Sequence, residues 1–280
     1  EVVANIDKNM PDWKALGSVD GKVYSAALGA NVKSFVWYSP QAFKDKGYEV
    51  PKTWAEMLAL SDKIVADNPD GAVKPWCAGI GSGDATGWVA TDWMEDIMLR
   101  TAGPDVYDQW VAHEIPFNDP AVLTAAETFG EVMFAENYVL GGAPATPDIA
   151  FADAPAPMFE DPPNCWLHRQ ASFINAEFPE DAVAGEDYDW FPLPPIDQEG
   201  TLYAGELTVV GQNRPEVVDF LERFIAENVQ CEMGSVTASS RISPNVDVGP
   251  DCYANEILAD ASVILTDALE TGTGRFDASD

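Results

Sequence analysis

Apolar positions along the chain fall into two alternating rhythms. From Trp54 onward, Trp54, Met57, Leu58, Ile64 and Val65 lie on one face at helical spacing. The start is marked by Thr53-Trp54-Ala55-Glu56, a capping box whose hydroxyl and carboxylate satisfy orphan amides. Asp119-Pro120 opens a second helix, with Val122, Leu123, Ala126, Phe129 and Met133 on its apolar face. A third follows Asn213, where Pro215 leads Val217, Val218, Leu221, Phe224 and Ile225. Short extended runs lie between them: Ser34 to Tyr38, Ala156 to Phe159, Trp190 to Leu193 and Glu206 to Val210. Helix and strand signals therefore alternate, which predicts an α/β protein. No stretch approaches the roughly 18 unbroken apolar residues that a bilayer-spanning helix needs.

Charge sharpens this picture. Forty-seven acidic residues oppose 15 basic ones, a formal net charge of -32. All nine lysines lie between Lys8 and Lys74, so the excess carboxylate falls on the remainder of the chain. Such a surface repels phosphate backbones and anionic lipids, which argues against nucleic-acid and membrane partners. It reads as a heavily solvated exterior, and no clustered ligand pattern points to a metal.

Catalytic chemistry has little to build on. His113 and His168 are the only histidines available to a Ser-His-Asp or Cys-His site. His113 sits in a helical context, and His168 in the polar run Cys165-Trp166-Leu167-His168-Arg169-Gln170, which suits ligand contact better than proton transfer. The glycine-rich stretch Gly79 to Gly87 lacks the ending of a P-loop and the spacing of a dinucleotide fingerprint. It reads as a flexible loop carrying Thr86 and Trp88. Asp92, Glu95 and Asp96 read as a solvated helix face, with Asp92 set apart because it follows Trp88 by one turn. A carboxylate pair such as Asp92 with Glu206 leaves a carbohydrate-active enzyme open as an alternative. Cys77, Cys165, Cys231 and Cys252 contain no C-x-x-C spacing, and their even number fits two disulfides in an oxidising compartment.

Aromatics are the stronger lead. Several of the nine tryptophans adjoin hydrogen-bonding residues: Trp37-Tyr38, Gly87-Trp88, Asp92-Trp93 and Cys165-Trp166. Flat rings flanked by donors and acceptors match a sugar, which has apolar C–H faces and a rim of hydroxyls.

Several segments together resemble the extracellular solute-binding proteins of carbohydrate ABC transporters, in particular the α-glucoside-type subgroup of the maltose-binding class. These are Asn31 to Pro40 followed by Gly47 to Trp54; Pro75-Trp76-Cys77; Ala85-Thr86-Gly87-Trp88 with Thr91-Asp92-Trp93; Pro157 to Gln170; Ala204-Gly205-Glu206-Leu207; and Arg275 to Asp280. Ser39 stands where an Asn is usual in the family, and Ala204-Gly205-Glu206 where Gly-Gly-Asp is. The resemblance implies an α/β, two-lobed, type II periplasmic-binding-protein-like fold with an incomplete first lobe and sequence missing at both ends. It places 1–38 and 204–243 in the N-terminal lobe, and 39–203 and 244–280 in the C-terminal lobe. On this basis the 280 residues alone are expected to be poorly stable and weak in sugar binding.

Its functional implications are hinge closure on a neutral sugar, delivery to ABC transporter permease subunits, an extracytoplasmic location (periplasm or outer face of the cell membrane), a monomeric state, and neither cofactor nor metal. An osmolyte or peptide as the solute is the further alternative. The implied ligand contacts are Lys33, Ser34, Thr86, Trp88, Asp92, Trp166, His168, Arg169, Glu206 and Asp277, with Trp88 and Trp166 as stacking platforms. The expected disulfides are Cys77 with Cys165 and Cys231 with Cys252.

Overall fold

A computed structural model describes residues 2–236 and 239–278. The chain divides into two compact units, Glu1–Val32 with Tyr203–Gly272, and Lys33–Leu202 with Thr273–Ser279.

The first unit begins with α1 (Val2–Asn9), α2 (Pro11–Lys14), a hairpin of β1 (Ser18–Val19) and β2 (Lys22–Val23), and the long strand β3 (Ser25–Val32). The chain then enters the second unit through β4 (Phe35–Tyr38), α3 (Pro40–Lys46), α4 (Trp54–Asp67), β5 (Lys74–Trp76), α5 (Trp88–Ala102), α6 (Pro104–Val111), α7 (Pro120–Met133), β6 (Cys165–Arg169) and β7 (Asp189–Pro192). β8 (Thr201–Val209) leads back to the first unit, followed by α8 (Pro215–Phe224), α9 (Glu227–Gly234) and α10 (Glu256–Thr271), before β9 (Gly274–Phe276) rejoins the second.

In the first unit β3 pairs antiparallel with β8, Val32 opposite Tyr203, with an irregularity between Ala27 and Gly29. In the second, a four-stranded sheet runs in the order β5-β6-β4-β7, its β5–β6 pair parallel and the others antiparallel. Helix starts follow the local chemistry. Thr53 Oγ1 accepts from Glu56 N at 3.2 Å while the Glu56 carboxylate accepts from Lys52 N at 2.7 Å. Asp119 caps Ala121 N at 2.9 Å. The core of the second unit gathers Val36, Trp54, Met57, Ile64, Trp76, Trp93, Ile97, Met98 and Leu167, all buried.

Two expectations change. Ala156–Phe159 is a 3-10 turn, not a strand. Pro155 and Pro157 hold φ near the helical value, and Met158 N donates to Pro155 O at 2.9 Å. The segment 244–272, expected in the second lobe, packs within the first unit. Ile242 pairs with Ala30, Asn245 Nδ2 donates to Ile225 O at 3.0 Å, and α10 lies against β3. The crossover points accordingly fall at 32/33, 202/203 and 272/273.

Both disulfides are present with the expected partners, at Cα–Cα distances of 5.4 Å for Cys77–Cys165 and 4.9 Å for Cys231–Cys252. Cys77–Cys165 closes 88 residues of sequence and Cys231–Cys252 only 21. Chain entropy makes the longer closure worth more, about 4–5 kcal/mol against about 3. Replacing each pair by serine should therefore lower the melting temperature more for Cys77/Cys165, as read by calorimetry. An equal or reversed order contradicts this ranking.

Candidate functional site

The glycine-rich segment before α5 is tightly packed, not free. Gly81 N donates to Ile149 O and Phe151 N donates to Gly81 O, both at 2.9 Å. A Cβ at Gly81 would sit 2.8 Å from Pro147 O, so glycine is required by the close approach of two backbones. That approach brings Phe151 beside the first residue of α5. Gly87, at φ +113°, turns the chain into the helix, and Trp88 follows.

Trp88 is partly exposed and sits in an aromatic corner. Its ring meets Phe151 edge-on at 5.1 Å between centroids and Phe173 at 6.1 Å. Lys33 Nζ lies 4.8 Å from the ring centroid, within range of a cation–π attraction. Phe151 and Phe173 are also partly exposed. They went unnoticed in the sequence because each is remote from Trp88 along the chain.

Behind Trp88, α5 turns a charged stripe inward. Asp92, Glu95, Asp96 and Arg100 are all buried. This overturns the reading of Glu95 and Asp96 as a solvated face, for a physical reason: the facing elements supply cations and donors. Lys33 Nζ pairs with Asp92 at 3.3 Å and with Asp277 at 3.0 Å. Arg169 Nη2 donates to Asp96 Oδ2 at 2.9 Å and to the Asp92 carbonyl at 3.0 Å. Asp96 Oδ1 accepts from Ser34 Oγ at 2.8 Å and also pairs with Arg100. Ser34 Oγ in turn accepts from Leu202 N at 2.9 Å. Burial, then the neighbouring Asp277, push the Asp92 carboxyl well up despite the pull of Lys33 and Arg169. The spacing i, i+3, i+4, i+8 was the available signal, since it places all four α5 groups on one face.

The implied ligand contacts therefore separate. Lys33, Ser34, Asp92, Arg169 and Asp277 come together as one buried ionic group, with Trp88 against it. His168 is buried beside them: Nδ1 donates to Cys77 O at 2.9 Å, and burial followed by the Arg169 charge lowers its pKa to about 4. Thr86 is exposed and closes its own turn, donating to Gly83 O at 2.7 Å and accepting from Ser82 N at 3.0 Å. Trp166 is 4% exposed and packs against Tyr48, at 5.0 Å, and Phe43. It is a core residue and offers no open face for stacking. Glu206 belongs to the first unit, on the exposed side of β8, where it pairs with Arg241 at 3.2 Å. Among the described residues, no group of three or more His, Cys, Asp or Glu is arranged to hold a metal ion.

Two outcomes follow. Asp96 satisfies three partners in a site with no water access, so Asp96→Ala should cost about 3–5 kcal/mol in chemical denaturation; a loss under 1 kcal/mol contradicts the ionic group as drawn. For His168, the unfolded chain takes up a proton near pH 6.5 and the folded chain only near 4. Its contribution is thus complete above pH 6.5 and lost as the pH falls toward 4. Stability of His168→Gln should decline less than that of the parent over that interval, and parallel curves contradict it.

Comparison with known proteins fits this architecture. The sequence model for bacterial extracellular solute-binding proteins matches residues 2–223. The osmoprotective compounds-binding protein GgtB of Synechocystis sp. is 44% identical over 271 residues, 96% of this chain and 62% of that protein. The alpha-glucosides-binding periplasmic protein AglE of Rhizobium meliloti is 44% identical over 278 residues, 96% of this chain and 59% of that protein. The chain thus spans about three-fifths of the length of these two relatives. Among solved structures, the bacterial solute receptor AcbH superposes with a TM-score of 0.76 at 20% identity, covering 98% of this chain and 66% of that one. A chitin oligosaccharide binding protein gives 0.74 at 20% identity, covering 99% and 67%. These likenesses give a maltose-binding-like type II fold. The chain belongs to the bacterial extracellular solute-binding protein family.

Proposed function

We propose that this protein captures a neutral, glucose-containing sugar outside the cytoplasm and presents it to the permease of an ABC transporter, without transforming it. The observation that carries this reading is the partly exposed Trp88 ring, flanked by Phe151 and Phe173 and backed by fixed charges. An aromatic corner supplies the apolar platform for one face of a pyranose. Relatives at 44% identity are named for alpha-glucosides and for osmoprotective compounds, and the first of these names supports an α-glucoside as the solute. The net charge of -32 disfavours an anionic ligand by long-range repulsion.

One observation weighs against the enzymatic alternative that pairs Asp92 with Glu206. Asp92 is fully buried and ion-paired, so it reaches neither a glycosidic oxygen nor water as a free acid or base. Thr86, exposed at the edge of the aromatic corner, remains a candidate hydroxyl partner of the sugar. Glu206 is a candidate contact on the first unit.

Trp88→Ala should weaken calorimetric affinity for α-glucosides at least tenfold, the usual range for a binding hot spot of about 2–4 kcal/mol, and leave the melting temperature nearly unchanged. Trp166→Ala should behave in the opposite way, because it empties core volume. Unchanged affinity in Trp88→Ala, or no binding by the full-length parent across a panel of neutral sugars, overturns the assignment.

A further inference from the structure

Glu95 belongs to none of the contacts discussed for the ligand, yet it is buried and closely surrounded. Tyr107 Oη, from α6, lies 2.6 Å from Glu95 Oε2 and 2.9 Å from the carbonyl of Phe276. Ala278 N donates to the same carboxyl oxygen at 2.9 Å. The phenol has a single proton, and burial then Glu95 raise its pKa, so it stays a hydroxyl. One proton cannot make two full-strength bonds, because sharing it bends and weakens both. If Glu95 is ionised, Tyr107 donates to it and has no proton to give Phe276. If Glu95 carries a proton, it donates to the phenol oxygen, and the phenol donates onward to Phe276.

Two further counts agree. Asp277 neighbours both Asp92 and Glu95 and raises both carboxyls, and adjacent like charges disfavour full ionisation. Among the buried groups, Asp92, Glu95, Asp96 and Asp277 face Lys33, Arg100 and Arg169, so one proton brings the enclosure to neutrality. Other charges on the packed elements lie outside it. Asp108 of α6 pairs with Arg275 of β9 at 2.6 Å, and Glu199 approaches Arg100 from an exposed loop.

We propose that Glu95 is a positioning residue that works in its protonated form, clasping the segment 274–278 onto α5 and α6 and, through Asp277, holding Lys33 against Trp88. The clasp stands on the geometry alone, and only its link to the solute rests on the reading of Trp88 given above. Burial, and after it the Asp277 charge, raise the Glu95 carboxyl to about 7, which agrees with a proton there at moderate pH.

The test compares the parent with Glu95→Gln, which keeps a neutral hydrogen-bonding group, and with Glu95→Ala, which removes it. Melting temperatures are recorded from pH 4.5 to 8.5, alongside calorimetric affinity for an α-glucoside. Parent and Glu95→Gln should coincide near pH 4.5, and the parent should fall behind as the pH rises, by at least about 3 °C at pH 8. Glu95→Ala should melt lower than Glu95→Gln throughout. Affinity of the parent should decline over the same pH interval, at least threefold, and that of Glu95→Gln should not. Parallel melting curves for the parent and Glu95→Gln overturn the proposal, as does a Glu95→Ala protein equal to Glu95→Gln. Diverging curves without sugar binding by either protein support the clasp and defeat the Trp88 reading instead.

Discussion

Lys33, Arg100 and Arg169 are sealed in with Asp92, Asp96 and Asp277, and the surroundings of Trp88 depend on how those charges are held. Taking an ion out of water costs several kcal/mol, and only close pairing with full hydrogen bonding offsets it. The constraint is geometric, because a partner displaced by an ångström leaves a buried charge uncompensated. Each pair therefore fixes a piece of chain: Ser34 and Asp96 fix the start of β4 and the Leu202 backbone, and Arg169 fixes the end of β6. The Lys33 ammonium sits at once between two carboxylates and above the Trp88 ring. A ring supported in this way has little freedom to tilt, which on the proposed reading keeps down the ordering cost of binding a small polar solute.

How much of this was legible beforehand depends on the range of the interaction. Local signals were reliable: the Thr53 cap, the Asp119-Pro120 start and the strand Phe35–Tyr38 are all set within a few residues. Ala156–Phe159 was misread because an apolar run carries no mark of curvature, and Pro155 and Pro157, which impose it, were not weighed. The two disulfides followed from family resemblance, since four cysteines alone allow three pairings. Candidate site residues were legible as members of a set, and five of them do meet, but their roles were not. Trp166 next to polar neighbours looks like a platform in one dimension and is walled in by Tyr48 and Phe43 in three. Glu95 and Asp96 looked solvated because most of their partners, Tyr107 and Ala278 for Glu95 and Ser34 and Arg169 for Asp96, come from other elements. Phe151 joins Trp88 only through the backbone contact at Gly81.

The surface presents a different balance. Most of the acidic excess stays exposed, while the few cations beyond Lys74 include Arg100 and Arg169, both committed to the interior. The buried charges nearly cancel, four carboxylates against three cations, so the exterior of the second unit keeps almost all of its net negative charge. On the proposed reading, that charge disfavours anionic solutes. Two relatives are named for alpha-glucosides and for osmoprotective compounds.

Titration calorimetry of the full-length protein with neutral α-glucosides, at low and at high ionic strength, tests the central claim most directly. The account predicts saturable one-to-one binding whose affinity barely changes with salt, because a neutral ligand brings no charge to be screened. Binding confined to charged solutes, with an affinity that collapses in salt, would contradict it.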